Sequence, residues 1–168
     1  HADTLVITGE ERKRILRGYY DARIFKSNIR GKSDSIYFEE STGNIELMKK
    51  PLNKKEVQVF TEEEKNKRNP ILWFGDSQMT GDKIFLLSEL TTKKLDSLKI
   101  IGNAFIVEKD TINTDGYNQI KGGILNGDFV EGSLKNIEVI KNTQVIYYLY
   151  SDDNELIGID KTLCSSLD

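Results

Sequence analysis

The chain has one cysteine, Cys164, and one histidine, His1, in 168 residues. A single cysteine excludes an intramolecular disulfide framework and a cysteine-rich zinc site. With its only histidine at residue 1, the chain has no Ser–His–Asp or Cys–His arrangement to offer, and no histidine cluster for a metal. Two prolines and 13 glycines are too few for a disordered or low-complexity polypeptide. The longest apolar run, Val145 to Tyr150, has six residues, where a membrane-spanning helix needs about 20. Cations are not in excess either. The net charge is −3 and the sequence pI about 5.4, which gives no overall attraction to nucleic acid or to an anionic membrane. A phosphate-cradling Gly-x-x-x-x-Gly-Lys run is missing, and Gly122-Gly123 is too short a glycine pair to hold a nucleotide.

What is present is β-forming sequence. Charged residues make up 30% and apolar residues 38%, enough for one globular domain over residues 1–168. Val, Ile, Tyr, Phe and Thr recur in short alternating runs, clearest at Ser35–Phe38, Asn44–Leu47, Lys83–Leu86, Ser97–Ile100 and Asn136–Val139. Period-two alternation sets Ile45 with Leu47, Leu98 with Ile100, and Ile137 with Val139 on one face, and turns Glu46, Lys99 and Glu138 to the other. Turn chemistry falls between the runs at Ser41-Thr42-Gly43-Asn44, Gly102-Asn103, Asn126-Gly127-Asp128 and Ser151-Asp152-Asp153-Asn154. The fold class is all-β. Two stretches depart from it. Glu10–Leu16 reads either as a short helix or as an irregular strand. Residues 52–69, between Pro51 and Pro70, are rich in Lys, Glu and Asn and carry Thr61-Glu62-Glu63-Glu64, a helix start with acids in its first turn. This stretch is a charged surface insertion with one or two helical turns.

An internal repeat matters more than any single residue. Ile29-Arg30-Gly31, Met79-Thr80-Gly81 and Ile120-Lys121-Gly122 share the form apolar–polar–glycine, and Leu156-Ile157-Gly158 is a partial copy. With the insertion set aside, the unit is a run of short strands roughly 30 to 40 residues long, and stacked units of that kind bury an apolar seam that none buries alone.

The ordered series Ile71-Leu72-Trp73-Phe74-Gly75-Asp76-Ser77-Gln78-Met79-Thr80-Gly81-Asp82, Gly102-Asn103-Ala104-Phe105-Ile106-Val107, Asn118-Gln119-Ile120-Lys121-Gly122 and Glu155-Leu156-Ile157-Gly158-Ile159 resembles the OstA-like family of lipopolysaccharide-transport proteins. That family includes LptA and the periplasmic domain of LptD, and the likeness is greatest to its Bacteroidota members. It covers about residues 18 to 166. The resemblance implies an open β-jellyroll, two antiparallel sheets in a V with an apolar trough between them. It also implies carriage of lipopolysaccharide acyl chains, with no catalysis and no cofactor. Partners would be other lipopolysaccharide-transport proteins joined edge strand to edge strand, or further copies end to end. The location would be periplasmic, at or near the outer membrane; the opening residues lack the basic and apolar stretches of a secretory signal, so that location presumes a signal already removed. The sequence departs from the family in the 52–69 insertion and in being shorter than the many-stranded LptA core.

Alternation and resemblance together give the candidate trough residues: Ile36, Phe38, Ile45, Leu47, Leu72, Phe74, Ile84, Leu86, Leu98, Ile100, Phe105, Val107, Leu125, Phe129, Ile137, Val139, Val145 and Tyr147. For any one of them ordinary core is the stronger reading, and the functional claim concerns the stripe rather than its members. For Leu72, Phe74, Phe105 and Val107 both faces are apolar, because Ile71, Trp73, Ala104 and Ile106 adjoin them, and a one-residue slip exchanges the two sets. Other chemistry is weaker. Asp34, Asp82 and Asp128 recur at related positions, as a carboxylate pair for glycoside hydrolysis requires, but so do ordinary turn residues. Arg12, Lys13, Arg14 and Arg17, near Tyr19, Tyr20 and Phe25, form either a solvated face or an anion contact. A nucleic-acid-binding β-barrel is disfavoured by the overall acidity. The alternative to lipid carriage is an outer-membrane assembly module that pairs edge strands and carries no lipid. Cys164 is a small buried hydrophobe, a free thiol or a partner for a cysteine of another chain.

Overall fold

The computed structural model describes residues 1–26, 29–113 and 115–167. It is all-β, 64% strand and 7% helix. The elements run β1 (Thr4–Thr8), β2 (Ile15–Lys26), β3 (Ile29–Glu39), β4 (Ile45–Met48), α1 (Lys54–Val59), α2 (Glu62–Lys67), β5 (Ile71–Phe74), β6 (Ser77–Thr80), β7 (Lys83–Ser88), β8 (Leu95–Lys109), β9 (Tyr117–Val130), β10 (Ser133–Tyr150) and β11 (Leu156–Leu167). Every strand pairing is antiparallel. The Glu10–Leu16 alternatives resolve to neither in full: residues 9–14 are a turn, and the strand begins at Ile15.

The pairings make a meander whose strands each have two halves. β2 lies along β3 on both sides of its middle, so β4 and β5 share the opposite edge of β3. Likewise β9 lies along β8, and β7 and β6 share the other edge of β8. β4 and β5 are therefore two pieces of one interrupted strand, and β6 and β7 of another. The path β3–β4–β7–β8–β6–β5 consequently closes into a six-stranded, barrel-like ring.

A line of irregularities crosses the meander. Register shifts fall between Tyr19 and Ala22 in β2, Ile101 and Ala104 in β8, and Ile140 and Gln144 in β10. At each lies a pair of residues with left-handed backbone: Tyr20 and Asp21, Gly102 and Asn103, Lys141 and Asn142. Two such residues in a strand interrupt its ladder and bend it. We call this the fold line. On one side lies half-sheet A: β1, the first half of β2, the second half of β3, β4, β7, the first half of β8, the second half of β9 and the first half of β10. On the other lies half-sheet B: the remaining halves with β5, β6 and most of β11.

The halves face each other. One buried cluster draws Ile36, Leu47, Ile84, Ile100, Leu125 and Val139 from half A, and Ile29, Leu72, Met79, Ala104 and Ile106 from half B. Phe74 of half B meets Phe129 of half A edge to face, centroids 5.1 Å apart. In half A the cross-strand row Leu5–Gly18–Ile36–Leu47–Ile84–Ile100–Leu125–Val139–Leu167 runs across the sheet. Half B answers with Ile24–Gly31–Leu72–Met79–Ile106–Ile120–Val145–Thr162. Near the fold line the faces converge too closely for a Cβ. One built on Gly31 would lie 2.7 Å from Leu47 Cδ2, on Gly81 2.3 Å from Ile100 Cγ2, and on Gly122 2.4 Å from Val139 Cγ1. At these three positions the repeated glycine lets the opposite row close over it, whereas Gly158 of the partial copy has open space around it.

The ends are staggered. β1 extends half A beyond β2, whereas β11 pairs with β10 mainly in half B, touching half A only at Ser166 and Leu167.

The 52–69 insertion interrupts a strand at the fold line, between β4 and β5. Its two helices are short and capped. Asn53 accepts from the Lys55 and Glu56 N–H groups while Glu56 accepts from the Asn53 N–H, and Thr61 and Glu64 exchange the same reciprocal bonds. Arg68 anchors the insertion, pairing with Asp34 at the bend of β3 at 2.5 Å and donating to the Lys50 carbonyl at 2.9 Å.

Candidate functional site

The site follows from how far the two inner faces stay in contact. Along the middle of the rows the interior is filled. Ile36, Ile45, Leu47, Leu72, Ile84, Leu86, Leu98, Ile100, Leu125 and Val139 are all buried in the shared cluster, and Phe38, Phe74, Phe129 and Ile137 are partly buried against it. Toward either end the rows continue but the opposing face recedes. At one end a cleft of about 330 Å³ opens among Phe74, Ile106, Ile120, Leu134, Ile137, Val145 and Tyr147, with Ser77, Glu108 and Asn118 on its polar side. At the other, Leu5, Leu16, Ile24, Phe25, Ile36 and Phe38 line a cleft of about 360 Å³.

Two of the eighteen candidate residues are corrected. Phe105 and Val107 lie on the outer face of β8, because Ala104 and Ile106 take the inner positions opposite Gly122 and Ile120. The Gly102-Asn103 shift spans two residues and so keeps the parity of the alternation: the phase of Leu98 and Ile100 carries through to Ala104 and Ile106, and it is the apolar character of both faces there that hid it. In β5 the inner pair is Leu72 and Phe74, as expected. Tyr147 is 51% exposed and meets the cleft from its open side. Inner residues missed by alternation include Ile29, Met79 and Ile120. The repeat itself marked them: each stands two residues before an inner or fold-line glycine, hence on the same face.

The far rims of the halves are held by carboxylates. In the turn between β7 and β8, Glu89 accepts from the Thr91 and Thr92 N–H groups at 3.0 and 2.6 Å. The Thr92 side chain, then those amides, lower its pKa to about 2. In the turn between β8 and β9, buried Asp110 accepts from the Tyr150 hydroxyl at 2.6 Å and from the Ile112 and Asn113 N–H groups. The Tyr150 hydroxyl foremost holds the Asp110 carboxyl below its ordinary range, and desolvation followed by Asp110 pushes the Tyr150 phenol up to about 12. Between the rims a third opening of about 660 Å³, lined by Ile29, Phe74, Leu95, Lys26, Lys93 and Lys94, is crossed by Lys26 Nζ donating to the Lys93 carbonyl at 3.4 Å.

The remaining candidates are dispersed. Asp34 pairs with Arg68 at the fold line, Asp82 accepts from Asn103 there, and Asp128 lies on the outer face of half A, so the three share no site. Arg17 stacks over Tyr37 at 5.3 Å, on the outer face of half A. Cys164 is half-buried, opposite Thr143.

No protein-family model matches the chain, and no curated protein matches it.

Proposed function

We propose that the chain is a non-catalytic carrier of lipopolysaccharide acyl chains, an OstA-like open β-jellyroll acting in the periplasm in transport to the outer membrane. The observation that carries the reading is a pair of apolar clefts, one at each end of the interior between half-sheets A and B, lined by Phe38 and Ile36 at one end and by Phe74, Ile137 and Val145 at the other. At about 330 and 360 Å³ each lies near the lower bound of about 300 Å³ for small-molecule pockets. Each is therefore suited to part of a lipid rather than to a whole multi-acyl one. Every methylene taken from water contributes about 0.8 kcal/mol, so retention needs no specific polar partner. The filled middle means that a chain spanning the whole interior requires the halves to part. Leu47, Ile84 and Ile100 then become trough wall only in that opened state.

The test is photo-cross-linking to lipopolysaccharide from Phe74, Ile137 and Tyr147, with Lys99 and Glu138 on the outer face as controls. Cross-links from the first set alone are expected. Equal cross-linking from both sets, or none with the fold intact, overturns carriage.

The second reading is an assembly module that pairs edge strands with other transport proteins or with copies of itself. The outermost strands favour it: Leu5, Val6 and Ile7 on β1, and Leu156, Ile157, Ile159 and Leu163 on β11, are exposed, and an open apolar edge is a template for another strand.

A further inference from the structure

The two outer faces carry different charge. On half A the outward residues of the paired strands mix signs: Arg17, Lys83 and Lys99 stand among Glu39, Glu46, Asp128 and Glu138. On half B the outward charged residues are Arg23, Arg30, Lys32, Lys109, Lys121 and Lys161, with no carboxylate among the paired positions of that face. Asp21, at the fold line, holds Arg23 and Lys32 at 2.8 and 3.2 Å. Arg30, Lys109, Lys121 and Lys161 have no ion-pair partner among the described residues. In a chain of net charge −3, a face of one sign sets up a local field opposite to that of the whole.

Between the cations apolar residues are interspersed with uncharged polar ones: Ile71, Trp73, Phe105, Val107 and Ile146 lie outward and half-buried, Gln78, Thr80, Gln119 and Gln144 share the face, and Phe25, beside Arg30, is 69% exposed. We propose that this outer face of half B docks on an anionic phospholipid bilayer. A bilayer presents phosphates in two dimensions, and the cations are spread in two dimensions. They reach from β2 to β11, roughly 34 Å at the usual strand spacing of about 4.8 Å, rather than following one groove. Exposed Phe25 and the apolar strip supply the contact with the headgroup boundary that cations alone lack. A single-stranded nucleic acid fits less well. Stacking needs open aromatic faces in sequence, whereas Trp73 and Phe105 are half-buried, and the Trp73 indole N–H is committed to Gln78 Oε1 at 2.9 Å.

Except at Arg23, Phe25 and Ile146, which also border the two clefts, this surface is distinct from them, and the test keeps the two apart by using vesicles without lipopolysaccharide. Co-sedimentation is measured with phosphatidylcholine vesicles alone and with vesicles containing phosphatidylglycerol, at low and high salt. Binding is expected only to the anionic vesicles and is expected to fall with salt. Arg30→Glu with Lys121→Glu is expected to weaken it about 30-fold or more. Lys83→Glu with Lys99→Glu, the same charge change on half A, is expected to leave it within about twofold, with circular dichroism unchanged for both pairs. Ile137→Trp, which fills a cleft, is expected to keep vesicle binding. Equal binding to neutral vesicles, equal losses from the two charge-reversed pairs, or tighter binding to an oligothymidylate than to the anionic vesicles overturns the proposal.

Discussion

The middle of the interior and its two ends are built from the same cross-strand rows, yet one is closed and the others are open. In the middle, Leu47, Ile100 and Val139 close over Gly31, Gly81 and Gly122, whose missing side chains make room for them. At the ends the rows run on through Ile120 and Val145, or through Ile36 and Leu5, but the staggered strands leave each without a full partner across the interior. Residue hydrophobicity is similar throughout. What decides between core and cleft is whether the opposite half-sheet extends that far.

The sharpest way to break this comparison is to damage the middle. Leu47→Ala and Ile100→Ala are each expected to cost about 2–5 kcal/mol in urea unfolding, whereas Val145→Ala, at the cleft, should cost clearly less. Equal losses would mean that the ends are packed as tightly as the centre. Gly122→Ala puts a methyl against Val139 and is expected to cost about 1–3 kcal/mol. The double variant with Val139→Ala should recover part of that loss, and strict additivity would separate the glycine from the residue above it. Arg68→Ala leaves the largely buried Asp34 carboxylate without its ion partner and is expected to cost about 1–3 kcal/mol. Its thermal melt reports how much the insertion braces the fold line.

A smaller effect belongs to the rims. Glu89 has its carboxyl lowered from an ordinary 4.5 to about 2, so the turn's stabilisation is fully present above the ordinary value and is lost as pH falls toward about 2. A carbon-detected titration of Glu89 should find its midpoint near the lower figure. A midpoint near 4.5 would show that the Thr91 and Thr92 contacts do not hold it in solution.

Much of this architecture was legible in the residues. Alternation placed Ile45 with Leu47, Leu98 with Ile100, and Ile137 with Val139 correctly on the inner face, because each pair lies within one unbroken half-strand. Thr61 and the acids after it announced the second short helix, whereas the Asn53 cap of the first drew no expectation. Phe105 and Val107 were misplaced because both faces of that stretch are apolar, although the phase of Leu98 and Ile100 runs on to Ala104 and Ile106, and Gly102-Asn103, read only as a turn between strands, was the bend within one. Neither the closure of the middle nor the openness of the ends was legible. Both depend on how far two half-sheets overlap, and local pattern carries no record of that. The one-signed outer face of half B was hidden for the same reason: Arg23, Lys109 and Lys161 are far apart in sequence and share a surface only once the strands are in register.

The break between β4 and β5 has a consequence of its own. Both pieces are held to β3 by their own ladders, with four residue pairs on each, so the chain joining them need not be short, or even intact. Loop-closure entropy grows only slowly with length, and the joining segment lies where β3 bends rather than within a ladder. Residues 52–69 are thus a natural splice site. A tag inserted there would ride on the outside of an unaltered sheet, and a chain cut there would yield fragments carrying β1–β4 and β5–β11 whose complementary edges are already matched in register for reassembly.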